Sequence, residues 1–137
     1  LGRTNHKVSI ISLGTWAFGG PNKTGNISVG WSNQNELDST SALTKAWEKE
    51  INHWDTADVY GEGKSEQLIG EVWETVPREE IFIATKVGWD KGPHSHWYNP
   101  KHMLKNMERS LINLRTDNVD LIYFHHCNFS YYRQSPR

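Results

Sequence analysis

Apolar positions along the chain fall into four short runs, each followed by a polar stretch or by apolar residues at helical spacing. The first, Val8 to Leu13, is rich in β-branched residues and stops at Gly14. It predicts a strand with an exit loop, Thr15 to Gly20, that carries the permissive pair Gly19 and Gly20. Pro21 to Ser32 is rich in Asn, Gly and Ser and reads as a long loop. Asn33 or Ser32 then caps a helix from about Gln34 to Lys49, with Leu37, Leu43, Ala46 and Trp47 on its apolar face.

Ile51 to Asp55 predicts a second strand. A turn through Gly61 and Gly63 leads to a helix from about Ser65, its cap, to Trp73, with Leu68, Ile69 and Val72 on one side and Pro77 as its end. A third run, Ile81 to Thr85, closes on Lys86. After a Gly- and Pro-containing loop, Pro100 opens a third helix at a position where its missing N–H costs nothing. Met103 or Leu104, Met107, Leu111 and Leu114 recur along that helix, and Val119 to Phe124 forms a fourth strand ending at His125.

Four strands alternating with three helices define an α/β chain with a parallel sheet, consecutive strands as neighbours and right-handed crossovers. Near-continuous apolar strands predict a sheet covered on both faces.

Acidic and basic residues nearly cancel, to a formal net charge of -1, and no block of like charge implies a nucleic-acid or anionic-membrane partner. No apolar run approaches the roughly 20 residues that span a bilayer, and the opening residues lead to the expectation of no signal peptide. A lone cysteine, Cys127, has no internal disulfide partner and fits a reducing, cytoplasmic setting. Seven tryptophans beside a mean hydropathy of -0.72 predict a core that leans on a few large aromatic side chains. The chain opens on Leu1, which leads to the expectation of a fragment: one partial domain over 1–137, with a divergent or disordered tail at 127–137.

The second, third and fourth strands each end in a reactive side chain: Asp55 with nearby Tyr60, then Lys86, then His125. With consecutive strands adjacent at roughly 4.8 Å, Lys86 stands between Asp55 and His125. Tyrosine, with an unperturbed pKa of about 10, becomes a usable acid when a nearby cation favours its phenolate. Lys86 is that cation, and Asp55 holds it. A neutral His125 donates to the oxygen that Tyr60 approaches, a two-donor site for charge developing on a carbonyl. Taken singly, Asp55 and Lys86 read as a buried ion pair, Asp58 as a solvated loop acid, and Gly61 and Gly63 as turn residues. His94 and His96 with His125 and His126 lack the supporting carboxylate or cysteine of a metal site, so no metal is expected.

These motifs resemble the aldo-keto reductase family. The match runs through Leu13-Gly14-Thr15-Trp16, Asp55-Thr56-Ala57-Asp58-Val59-Tyr60-Gly61 with Gly63, Ser65, Glu66 and Gly70, then Ala84 to Gly88, Ser110-Leu111, Thr116-Asp117 and Val119-Asp120-Leu121 to His125. The resemblance implies the N-terminal portion of a (β/α)8 TIM barrel and hydride transfer from NADPH to an aldehyde or ketone. By it Asp55, Tyr60, Lys86 and His125 form a catalytic tetrad with Tyr60 as general acid. Gly14, Thr15, Trp16 and Asp55 border the cofactor, and Trp16, Trp89 and His126 line the substrate pocket.

A complete barrel of this class runs to about 250 residues, and its phosphate-binding loops follow the seventh and eighth strands. The matched stretch therefore carries the catalytic corner and not the expected cofactor grip. The looser similarity of the first loop to potassium-channel β subunits makes a non-enzymatic binding module the rival reading. An inactive truncated product, prone to associate through exposed edge strands, is the third. The family often has glycine where Glu50 stands, which predicts strain at the end of the first helix.

Overall fold

The computed structural model describes residues 1–24 and 26–126; the predicted tail at 127–137 lies outside them. Two sheets are present. Strands β1 (Leu13–Gly14), β4 (His53–Asp55), β5 (Phe82–Val87) and β6 (Leu121–Phe124) form a parallel sheet in that order, while β2 (Pro21–Thr24) and β3 (Ile27–Gly30) pair antiparallel. Helices α1 (Glu36–Glu48), α2 (Lys64–Glu71) and α3 (Pro100–Asn113) lie between the parallel strands in sequence. This is the order expected, and it forms an N-terminal portion of a (β/α)8 barrel.

Several local expectations are corrected. The first strand is only Leu13–Gly14, matched to Trp54 and Asp55, and Ile10 and Ile11 stand exposed because no strand pairs with them. The predicted loop at 21–32 is a hairpin, in which the alternation of Ile27 and Val29 sets up the pairing. Asn35, rather than Asn33 or Ser32, caps α1 through the Leu37 amide at 2.9 Å; Asn33 has φ 61, outside the extended region a cap requires. Gly63 at φ 96 precedes α2, and Ser65, expected as a cap, is buried inside its first turn. Leu37 and Leu104 are exposed, and Met103 takes the buried position on α3.

Between one face of the sheet and the helices lies a core of Leu43, Trp54, Ile69, Val72, Val76, Ile81, Ile83 and Leu114. It does lean on tryptophan. Trp54 stacks on Trp73 with centroids 5.8 Å apart and an interplanar angle of 9°, and the two indole N–H groups reach the Ile51 and Leu114 carbonyls. Covering of the sheet is uneven: β5 is buried throughout except at Lys86, while Ile122, Tyr123 and Phe124 of the edge strand β6 are exposed. No described helix is long and apolar enough to cross a membrane.

Candidate active site

Strand register explains why the four predicted residues meet. Asp55 lies level with Ala84, and Lys86 is two residues further along β5, on the same face. Lys86 in turn lies level with Tyr123, and His125 is two residues further on. This two-residue step per strand is the stagger of tilted barrel strands, and it brings Asp55, Lys86 and His125 onto one face at the strand ends. Tyr60 arrives from the turn after β4, where Gly61 and Gly63 adopt φ 61 and 96.

Lys86 is the centre of the group. Its Nζ donates to Asp55 Oδ1 at 2.5 Å, to the Thr56 carbonyl at 2.8 Å and to Tyr60 Oη at 3.2 Å. An ammonium has three N–H donors, so all three are used. Because Tyr60 Oη accepts from the ammonium, its own proton is left for an acceptor in the cleft. The His125 ring stands edge-on to Tyr60 at 5.9 Å and to Trp89 at 4.8 Å, and its Nδ1 is buried with no hydrogen-bond partner among the described residues. Burial, and then the nearby Lys86 charge, hold its pKa down at about 4, so the imidazole is neutral at physiological pH and keeps a single N–H donor.

Tyr60 and His125 open on a cleft of about 740 Å³ that is also lined by Trp16, Val29, Val59 and Trp89. Its lining also carries the charged side chains of Lys23, Asp58, Glu62, Asp90 and Arg109. Sequence reasoning missed the hairpin residues Asn22, Lys23 and Val29 together with Arg109; only the Ile27 and Val29 alternation signalled any of them.

Asp58, expected to be solvated, is instead buried, with Arg109 at 3.6 Å and the Val59 amide as its nearest backbone donor, and among the described residues no side chain donates a hydrogen bond to either carboxylate oxygen. Burial and the neighbouring Glu66 raise its pKa to about 7 against the pull of Arg109. Glu66 is also pushed up by burial, while Asn113 and Thr85 donate to it at 3.1 and 2.8 Å.

The remaining predicted residues divide by exposure. Gly14 and Trp16 are exposed beside the tetrad, with open space where a Gly14 side chain would stand. Thr15 is fully buried, its hydroxyl held by the Asp55 carbonyl at 3.0 Å and by Ser65 at 2.7 Å. His126 lies behind Trp89: the rings stack at 4.7 Å, and His126 Nε2 meets the Trp89 carbonyl at 2.9 Å. It sets the indole in place and is not among the residues lining the cleft. Open space beside Gly14 and the tilted pair of Trp16 and Tyr60 rings, 6.2 Å apart, leave room for a flat ring next to these four residues.

The model of the aldo/keto reductase family matches residues 10–134, and the chain belongs to that family. It is 30% identical over 129 residues to a probable voltage-gated potassium channel subunit beta of Oryza sativa subsp. japonica, covering 91% of this chain and 36% of that protein. The thermostable aldo-keto reductase Tm1743, solved with the inhibitor epalrestat, superposes with a TM-score of 0.72 at 31% identity, covering 91% of this chain and 41% of the other. An aldo-keto reductase from Klebsiella pneumoniae, solved in complex with NADPH, gives 0.65 at 25% identity, with 86% and 35% covered. The chain thus spans a little over a third of the length of these relatives.

Proposed function

We propose that this chain carries the catalytic corner of an NADPH-dependent oxidoreductase that reduces aldehydes or ketones to alcohols. The observation supporting it is the triple engagement of Lys86 with Asp55, Thr56 and Tyr60, which leaves the Tyr60 hydroxyl proton for a cleft oxygen beside a neutral His125. Asp55 and the Thr56 carbonyl fix the ammonium; the ammonium stabilises the phenolate formed when Tyr60 gives up its proton. His125 orients the carbonyl oxygen with its one N–H, and Trp16 and Trp89 exclude water from it. Gly14, Trp16 and Asp55 border the nicotinamide, with Thr15 supporting them from behind. The chemistry supplied by bound NADPH is hydride donation. Aldehyde reduction by Tyr60→Phe tests this reading: undiminished turnover overturns it.

Similarity to a channel β subunit supports a second reading, in which the same barrel binds cofactor and acts through partner contacts. Tight NADPH retention with slow turnover of every carbonyl tested favours it.

A further inference from the structure

The segment after β1 that runs into β2 touches the turn that carries Tyr60 at two places that the tetrad chemistry does not use. At the first, backbone meets backbone. A Cβ built on Gly61 falls 2.0 Å from the Gly19 carbonyl oxygen, and one built on Gly19 falls 2.6 Å from Gly61 N and from the Tyr60 carbonyl carbon. The exclusion is reciprocal, so it does not reduce to the φ of 61° that also favours glycine at position 61. At the second place, Asn22 Nδ2 donates to the Val59 carbonyl at 2.7 Å. The residue before Tyr60 and the residue after it are therefore both held by one neighbouring segment.

We propose that Gly19, Asn22 and Gly61 are positioning residues: the segment from Gly19 to Asn22 clamps the Tyr60 turn and so fixes the hydroxyl against Lys86. This rests on Tyr60 being the acid. Ordinary contact begins near 3.4 Å, so a methyl group on Gly61, starting 2.0 Å from Gly19 O, forces the two segments more than 1 Å apart. Tyr60 Oη lies 3.2 Å from Lys86 Nζ, at the outer edge of a hydrogen bond, and a shift of that size breaks it. Displacing a reacting group by about 1 Å costs on the order of 100-fold in rate. Asn22→Ala removes one neutral hydrogen bond without a clash and has a smaller expected effect, about 3- to 10-fold.

The test is nuclear Overhauser contact between the Tyr60 ring and the Lys86 side chain in the full chain, for wild type, Gly61→Ala and Asn22→Ala. The clamp predicts loss of the contact in Gly61→Ala and weakening in Asn22→Ala, with the Trp54–Trp73 contacts of the core unchanged. An unchanged Tyr60–Lys86 contact in both variants overturns it. If Gly61→Ala loses the core contacts too, Asn22→Ala alone decides. In turnover, the clamp predicts that kcat falls while KM for the aldehyde holds. Loss of the contact with undiminished reduction upholds the clamp and overturns the role of Tyr60 instead.

Discussion

Lys86 and Tyr60 meet through Nζ and Oη at 3.2 Å, with the ammonium also 4.9 Å from the tyrosine ring centroid. Both contacts hold the ammonium beside the tyrosine: the oxygen accepts one of its protons and the ring face attracts its charge. The direction of donation decides the chemistry. A hydroxyl that accepts from lysine has its own proton free to give, and the other two ammonium protons, on Asp55 and the Thr56 carbonyl, keep the lysine from turning away.

His125 is predicted to remain neutral well into the acid range. Its folded pKa, about 4, lies below the ordinary 6.5, so the unfolded chain binds more protons between those values. Its contribution to stability is complete above about pH 6.5 and is lost as pH falls toward 4. Proton NMR titration of the His125 ring checks this; a midpoint near 6.5 contradicts it.

Asp58 has the opposite sign. Its folded pKa is raised from 3.8 to about 7, so the folded chain binds the extra proton and stability falls as pH rises between those values. Asp58→Asn removes a buried carboxylate whose burial Arg109 and the Val59 amide only partly offset. It should stabilise the chain by about 1–3 kcal/mol at pH 8, with the gain shrinking toward pH 4. Urea unfolding at the two pH values measures it, and an equal effect at both contradicts the assignment.

Glu50 sits at φ 59 just after α1, with an exposed side chain. The left-handed conformation costs a residue with a Cβ about 1–2 kcal/mol, partly offset by the greater freedom of glycine when unfolded. Glu50→Gly is therefore expected to stabilise by about 0.5–1 kcal/mol in thermal unfolding; destabilisation contradicts the strain.

The parallel sheet was legible because its third and fourth strands are compact apolar runs and Asp55, Lys86 and His125 stand at or next to strand ends, whereas the run from Val8 contributes only Leu13 to a paired strand. Register then does what sequence order alone does not show, placing each site residue two positions beyond its neighbour's partner. The hairpin was hidden because Asn, Gly and Ser dominate Pro21 to Ser32 and only Ile27 and Val29 alternate. Asp58 looked solvated because the burial of a loop acid, and its meeting with Glu66 of α2 and Arg109 of α3, are set by packing that its local sequence does not show. Ser65 looked like a cap because its type and place suit one; its hydroxyl instead reaches back 50 residues to Thr15.

Whether Tyr60 gives its proton to a carbonyl oxygen is read from single-turnover reduction of an aldehyde by wild type and Tyr60→Phe, alongside NADPH binding by fluorescence. Removing this one hydroxyl is expected to slow reduction about 100- to 10,000-fold and to leave the NADPH affinity within about twofold. Equal rates in the two proteins contradict it.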